Sequence, residues 1–357
     1  MFRDKEIKLI LNDIRYLIDY SNLKDNLLCS KSNAFCNLDD FETFSKDISK
    51  GIPMLLPANL KYFDYPDNSS FKLSIEEVAN KIFMVDRLDY IGIKQFIAKG
   101  LEFSSGGTPK KEYIDIVNYI SKENKKCIDL VKKLNNEGKT VCSFQTRNIP
   151  HIGHERIIEE GLKHCDYLVI NPLIGVRKKG DFKTEIIEKA FQFLINNFYG
   201  SRVIYAPIFA NMFYSGPREA FHHSIMRQNI GFTHFIVGRD HAGAEGVYDE
   251  EAAFKSLKNN KLNIKVIPIE GAYYCKKKKS AVIKGVDSYN KDNLVNISGT
   301  KFREAIISNS NFEFVRPELQ NYINKFGGDI FEWLKNLNIF YQLLDLQLKM
   351  KPHWNKF

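Results

Sequence analysis

Residues 145–154 bring together side chains that could bind an anion. This segment reads Gln145-Thr146-Arg147-Asn148-Ile149-Pro150-His151-Ile152-Gly153-His154. It directly follows the apolar run 141–144 and directly precedes an amphipathic pattern, so it marks a turn from a strand into a helix.

A helix start of this composition favours phosphate. Its free N–H groups and partial positive charge attract anions, and Gly153 would let a ligand approach the backbone closely. His151 and His154 are three positions apart and would share one helical face. The segment predicts a polyphosphate site; histidines that cap the helix or pack in the core are the equally weighted alternative.

A second cluster, Arg239-Asp240-His241, stands between glycines directly after the apolar run 234–238. Packing gives little reason for such residues in a glycine-framed loop, which favours a functional role. Segments 216–219 and 297–304 also open helical patterns, with Arg218 and Arg303 near their starts. Each predicts either an anion site or an ordinary helix start.

These clusters belong to a repeating order of strand and helix. Apolar runs at 141–144, 167–173, 202–208, 234–238 and 264–269 alternate with amphipathic stretches. Such alternation predicts right-handed crossovers and a parallel, Rossmann-like sheet. Ligands of such sheets bind beyond the carboxyl ends of the strands, where both clusters are expected.

The flanking regions lack this order. We expect a smaller mixed α/β domain over residues 1–120, the catalytic domain over residues 121–310 and a C-terminal helical segment over residues 311–357. A helix is expected over 127–140, ended at Gly138. The C-terminal segment is apolar on one side, so it would dock on the core or on another subunit of a homo-oligomer.

Composition narrows the class of protein. Lys and Arg number 52 against 43 Asp and Glu, a formal charge of +9 that suits an anionic partner. No apolar run approaches the roughly 20 residues that span a bilayer, and the N-terminus does not resemble a signal peptide, so a cytoplasmic protein without a membrane partner is expected. The six cysteines form no C-x-x-C pair, which predicts reduced, mostly buried thiols. Basic runs without interleaved aromatics argue against nucleic-acid binding.

Four segments in order, QTRN-x-x-H-x-G-H, GPREA, VGRDHAG and ISGTKFR, resemble the ATP sulfurylases. NPLIGVRKKGDF and LVKKLNNEGKTVCSFQTRN are also similar, and the likeness covers roughly 127–323. The resemblance implies an α/β fold: a Rossmann-like nucleotidyltransferase domain of the HIGH superfamily, preceded by a shortened PUA-like domain. It implies attack of a sulfate oxygen on the α-phosphorus of MgATP, giving adenylyl sulfate and pyrophosphate, with Mg²⁺ entering as MgATP.

The resemblance also implies roles for single residues. Gln145, Arg147 and the backbone of Ala242 would hold sulfate, while Thr146 and Asn148 would orient the α-phosphate. The phosphates and the leaving pyrophosphate would be bound by His151 and His154. The nucleotide would be positioned by Gly238, Arg239, Asp240 and His241. A second group would support the site or only pack helices: Gly216, Arg218 and Arg303. The catalytic set is Thr146, Arg147, Asn148, His151, His154 and Arg239.

Three departures from the family pattern accompany the likeness. Ile149 stands where the family usually has proline, the loop after the second cluster is shorter, and only Cys275 remains where many members carry a cysteine cluster resembling a zinc site. The third departure predicts no bound zinc. The first two leave alternatives open: a nucleotidyltransferase of the same superfamily with a different acceptor or nucleotide, or an inactive nucleotide-binding regulatory paralogue.

Overall fold

The structure is a computed structural model that describes residues 4–29, 33–175, 182–239, 241–258, 262–289, 291–297, 299–308, 310, 312–327 and 330–331. Its helices are α1 (Asp4–Lys24), α2 (Leu38–Ser45), α3 (Ile75–Glu77), α4 (Ile91–Phe96), α5 (Ile114–Asn136), α6 (Ile152–His164), α7 (Thr184–Leu194), α8 (Gly216–Ile230), α9 (Ala252–Lys258), α10 (Gly299–Ile307) and α11 (Pro317–Asn324). Its strands are β1 (Leu56–Pro57), β2 (Phe63–Asp64), β3 (Ser70–Lys72), β4 (Glu102–Ser104), β5 (Thr108–Pro109), β6 (Val141–Phe144), β7 (Tyr167–Ile170), β8 (Leu173–Ile174), β9 (Val203–Tyr205), β10 (Ile208–Phe209), β11 (His234–Gly238), β12 (Lys265–Ile269), β13 (Ala272–Cys275), β14 (Ser280–Ile283) and β15 (Leu294–Asn296).

A five-stranded parallel sheet lies at the centre, in the order β12-β11-β6-β7-β9. Counted along the chain, its strands lie in the order 3-2-1-4-5 that is typical of Rossmann-like sheets, and the order reverses between β6 and β11. Phe144, the last residue of β6, pairs with both Ile170 and Ile236. The loops after β6 and β11 therefore leave the same edge of the sheet side by side, and the predicted parallel sheet is confirmed.

Two of the predicted strands are shorter than expected, and each is followed by a second, separate strand. Pro172 and Pro207 interrupt the runs 167–173 and 202–208, because proline has no N–H to give to a sheet. The chain resumes as β8 and β10, which pair with each other in parallel. This small pair extends the sheet edge on which the site lies.

Helices cover both faces of the central sheet. Val141 and Val169 point into a core shared with α5, α8 and the N-terminal region. Their neighbours Cys142 and Leu168 point into a second core shared with α6 and α7. This alternation follows from the two-residue repeat of a strand.

The N-terminal region is mixed α/β, with antiparallel strands in the order β1-β4-β3 and the pair β2-β5. Helix α5 is longer than the predicted 127–140 and runs through position 120, where the sequence suggested a domain boundary. Buried amides join the two regions: Asn22 donates to the carbonyl of Phe209 (2.9 Å), and its Oδ1 accepts from Nδ2 of Asn124 (2.9 Å). The domain boundaries stay predictions.

Further features bear on the sequence expectations. All six cysteines are free thiols, and every one except Cys29 is buried, as predicted. Among the described residues no helix is long and apolar enough to cross a membrane. Much of the predicted C-terminal helical segment, 332–357, lies outside the described residues; before it, α11 packs against α7.

Candidate active site

A cavity of about 280 Å³ opens where the strand order reverses. It is lined by residues 144–148 after β6, by 238, 239 and 241–243 at and after β11, and by His154, Met212 and Tyr214 among others. We call it the switch-point cavity. Both polar clusters of the sequence contribute to it, as expected for the carboxyl edge of a parallel sheet. Asp240 lies outside the described residues.

His151 and His154 form a reciprocal cap at the start of α6. His151 is the N-cap residue; its Nδ1 accepts from the N–H of His154, and Nδ1 of His154 accepts from the N–H of His151, both at 3.3 Å. The rings stack with centroids 3.8 Å apart. His154 lines the cavity, whereas His151, whose backbone is extended at the N-cap position, stacks on the ring of His154 and is not among the lining residues.

This cap fixes where the imidazole protons lie. Burial lowers the pKa of His154 to about 4 and that of His151 well below its ordinary value, so both rings are neutral near pH 7. Because each Nδ1 accepts a backbone N–H, each neutral ring carries its proton on Nε2. Nε2 of His154 lies 3.3 Å from Oγ1 of Thr146, which accepts from the N–H of Asn148 at 3.3 Å.

The helix N-terminus itself is less open to an anion than its sequence suggested. The N–H of Ile152 donates to the carbonyl of Phe314 (2.9 Å), and the N–H of His154 is used by the cap. A Cβ on Gly153 would lie 3.0 Å from the ring of His151 and 3.3 Å from Cβ of Ala272. A side chain at position 153 would therefore crowd the stacked imidazoles and β13, and the N–H groups of Ile152 and His154 are already bonded.

Arg147 and Gln145 supply the polar groups of one cavity wall. Cζ of Arg147 lies 5.8 Å from the ring centroid of Tyr214, and within the described chain no carboxylate comes within ion-pair distance of this guanidinium. Nε2 of Gln145 contacts Sδ of Met212 at 3.7 Å, while its Oε1 is buried without a hydrogen-bond partner among the described residues. A half-buried cation and a half-satisfied amide are groups that an anionic ligand would satisfy.

The loop after β11 forms the opposite wall. Arg239 donates to the hydroxyl of Tyr273 (2.6 Å) and lies 3.4 Å from Glu250. His241 packs inward against a second histidine. Ala242 has a left-handed φ of 58°, and its carbonyl accepts from the N–H of Gly216 at 3.2 Å.

The second group of predicted residues divides between site and packing. Arg303 on α10 donates to Oδ1 of Asn148 (3.2 Å) and so joins the edge of the site. Arg218 is fully buried away from the cavity and donates to the carbonyls of Phe44, Ser45 and Gly51. For Arg218 the structure supports the packing role.

The sequence interpretation missed several residues of the cavity and its support: Met212, Tyr214, Tyr273, Glu219 and His223. The segment 212–223 read as an ambiguous helix start, although it follows a strand edge like the other clusters. Its position after β10 was the usable signal. Ile149, the departure from the family pattern, is fully buried in the second core.

Comparisons with known proteins identify relatives of this chain. The sequence model of the ATP-sulfurylase family matches residues 123–325. The chain is 32% identical to the sulfate adenylyltransferase of Thermococcus onnurineus over 90% of this chain and 91% of that protein. It is likewise 32% identical to that of Pyrococcus abyssi over 88% and 89%, and 42% identical to that of Staphylothermus marinus over 53% and 50%.

A solved structure shares the fold. The hexameric APS kinase from Thiobacillus denitrificans superposes with a TM-score of 0.54 at 12% identity, over 88% of this chain and 62% of that chain. Such low identity supports the fold alone. On the sequence matches, the chain belongs to the ATP-sulfurylase family.

Proposed function

We propose that the protein is a sulfate adenylyltransferase, in which a sulfate oxygen attacks the α-phosphorus of MgATP and pyrophosphate leaves. Family membership supports the reaction. The single observation that carries it is the meeting of Arg147 and Gln145 with His154 in one cavity, because an oxyanion and a polyphosphate must be held side by side for in-line transfer.

The oxyanion would bind at Arg147 and Gln145, beside the turn at Ala242. Arg147 brings a fixed positive charge and a planar fork of donors that suits an oxyanion. Gln145 has an amide whose two ends exchange by rotation, so it can offer a donor. Sulfate is already ionised at neutral pH and needs no general base, which fits a cavity whose described lining contains no carboxylate.

The phosphates would bind at Thr146, Asn148 and His154, with the ring of His151 stacked on that of His154. Neutral imidazoles with Nε2–H groups are donors that need no protonation, so they can stabilise the growing charge of pyrophosphate across neutral pH. Gly238, Arg239, Asp240 and His241 would position the nucleotide, and Arg303 would hold Asn148. Mg²⁺ would enter on the phosphates of ATP and neutralise part of their charge.

The proposal extends to the domains, the cellular location and the oligomeric state. We propose that the central domain is a nucleotidyltransferase of the HIGH superfamily, which its strand order supports, and that the short antiparallel strands before it are a reduced PUA-like domain. A cytoplasmic location is supported by thiols without disulfides. We also propose a homo-oligomer, on the basis of the resemblance to the ATP sulfurylases.

Pyrophosphate release tests the function. The protein is incubated with MgATP and inorganic pyrophosphatase, and phosphate is measured with sulfate, with molybdate and with neither anion. Anion-dependent release is expected, and Arg147→Ala should reduce it at least a hundredfold because the charge that holds the oxyanion is removed. Lys126→Ala, which removes a positive charge from the exposed face of α5, serves as the control.

The same assay separates the alternatives. Turnover that ignores both anions would overturn the proposal in favour of another acceptor. A folded protein that binds ATP without any turnover would overturn it in favour of a regulatory paralogue.

A further inference from the structure

The end of a helical segment in the N-terminal region bonds to two residues beside the switch-point cavity. A π-helical turn, Val78–Phe83, directly follows α3. The last carbonyls of a helix lack partners within it and need donors from elsewhere. The carbonyl of Ile82 accepts from Oγ of Ser215 at 3.0 Å, and that of Phe83 accepts from the hydroxyl of Tyr248 at 2.7 Å. Two side chains from outside the N-terminal region thus satisfy this helix end.

Tyr248 lies between this helix end and the start of α8. Its ring covers Gly216, where an added Cβ would lie 2.6 Å from a ring atom. The buried ring of Tyr90 meets that of Tyr248 edge to face, with centroids 6.0 Å apart. Burial raises the pKa of Tyr248 well above its ordinary value, so the hydroxyl keeps its proton and remains a donor. Tyr248 is therefore held by its ring and by its hydroxyl.

Gly216 connects this contact to the cavity. Its N–H donates to the carbonyl of Ala242 at 3.2 Å, and Ala242 lines the cavity. Both residues have a left-handed backbone, with φ values of 49° and 58°. A left-handed φ is unfavourable for alanine and persists only where the surroundings hold it. The packing of Tyr248 on Gly216 is part of what holds the turn at Ala242.

An ion pair joins the same loop to the same part of the N-terminal region. Nη2 of Arg87 lies 2.7 Å from Oε2 of Glu245, three residues beyond Ala242. Both side chains are exposed, so the pair itself adds little stability. It shows, however, that residues 82–90 and residues 242–248 meet at more than one point.

We propose that Tyr248 is a positioning residue through which the N-terminal region fixes the turn at Ala242, and with it the oxyanion side of the cavity. Tyr248 is not among the lining residues. Its hydroxyl is anchored on Phe83, its ring packs on Gly216, and the bond from Gly216 to Ala242 carries the constraint to the cavity. The effect on the oxyanion rests on the proposed function, whereas the constraint on the turn does not.

Hydrogen exchange tests the constraint without reference to activity. Deuterium uptake of the full-length protein is followed by mass spectrometry in peptides that contain residues 213–218 and 241–248, for the wild type and for Tyr248→Phe. The variant keeps the ring over Gly216 and removes the bond to Phe83. The exchange rate in both peptides should rise about fivefold or more, because the bond between Gly216 and Ala242 would open more often.

Sulfate kinetics test the effect on the cavity. In Tyr248→Phe the KM for sulfate should rise about threefold or more while kcat changes less than about twofold, because a backbone contact that would hold sulfate equally in the ground state and the transition state is loosened. A purely structural role of Tyr248 would lower stability and leave the KM of the folded enzyme unchanged.

Tyr65→Phe is the matched control. The hydroxyl of Tyr65 also donates to a carbonyl of the N-terminal region, that of Pro57, at 2.7 Å, and Tyr65 does not line the cavity. This variant should change neither exchange in the two peptides nor the KM for sulfate.

Ser215→Ala is a second variant, which removes the neighbouring bond to Ile82 and leaves Tyr248 in place. It should raise exchange in both peptides about twofold or more, because the same helix end is loosened. If Tyr248→Phe does not fold, Ser215→Ala decides the question, and unchanged exchange in this variant would overturn the inference.

The outcomes separate this inference from the proposed function. Unchanged exchange in folded Tyr248→Phe would overturn the inference whatever the activity. Raised exchange with an unchanged KM for sulfate, in an active enzyme, would overturn the positioning role. Raised exchange in a protein without sulfate-dependent turnover would support the constraint on the turn and reject the proposed function.

Discussion

The two histidines at 151 and 154 show how a cap becomes part of a binding site. Their Nδ1 atoms bond the backbone and their Nε2 atoms keep the protons. The two readings of the sequence, cap and phosphate ligand, are therefore compatible. The sequence predicted that both histidines lie with Arg147. The structure places Arg147 and His154 in one cavity, whereas His151 has an extended backbone and stacks on the ring of His154, an arrangement that spacing alone does not encode.

Thr146 allows a test at the residue scale. Thr146→Val keeps the shape of the side chain and removes the hydroxyl near Nε2 of His154. We expect kcat to fall about tenfold to a hundredfold with little change in the KM for sulfate, because the hydroxyl would be lost as a partner of the charged α-phosphate in the transition state, and a hydrogen bond to a charged group contributes about 1.5–3 kcal/mol. Steady-state kinetics of pyrophosphate release measure this.

Thr146→Ser is the matched control because it retains the hydroxyl. It should keep most of the wild-type kcat. Equal kcat values for the Val variant and the wild type would show that the hydroxyl takes no part in the chemical step.

Helix α8 is the element that the sequence described least well. Its polar residues Arg218, Glu219, His222, His223 and Arg227 are all buried. Polar side chains normally indicate an exposed face, so pattern analysis cannot identify a helix that buries its polar side chains against other parts of the fold. The central strands could be predicted because their residues are apolar and are buried, as an apolar run indicates.

Gly216 starts this helix under an aromatic ring. Its φ is 49°, and a Cβ there would lie 2.6 Å from the ring of Tyr248. Gly216→Ala should therefore lower the free energy of unfolding by about 2–5 kcal/mol, the sum of the left-handed cost and overpacking. Urea denaturation followed by circular dichroism measures the change.

Gly138 provides the comparison, because its φ is 73° and nothing lies within 4 Å of its added Cβ. Gly138→Ala should cost only the left-handed conformation, about 1–2 kcal/mol. If both variants lose the same stability, the contact with Tyr248 does not constrain the helix start.

At the scale of the whole molecule, the N-terminal region and the sheet share one core. The sequence separated them at 120, because the N-terminal region lacks the strand–helix alternation. Packing across the boundary could not be read from the chain, since Asn22 and Asn124 are polar residues whose burial depends on partners far away in sequence.

Arg218 links the two regions and permits a test of their coupling. Burial lowers its pKa to about 10, so it stays charged at neutral pH. Arg218→Met should cost about 3–5 kcal/mol because buried carbonyls lose a charged donor. Since Arg218 does not line the cavity, the KM for sulfate of the folded fraction should change little.

Arg202→Met is the control for Arg218→Met. Arg202 also donates to three carbonyls, those of Leu162, Cys165 and Asp166, but lies at the surface. Its loss should cost less than about 1 kcal/mol in denaturation. Similar losses of stability for both variants would show that the burial of Arg218 adds nothing to its link between the two regions.

The reactivity of the buried thiols can report local opening of the structure. Cys36 precedes α2, Cys127 lies in α5, Cys142 in β6, Cys165 at the end of α6 and Cys275 in β13. An alkylating reagent reaches each thiol only when its surroundings open. Peptide mass spectrometry of a labelling time course therefore yields an opening rate for each of these elements without any engineered probe, and the half-buried Cys29 supplies the fast reference.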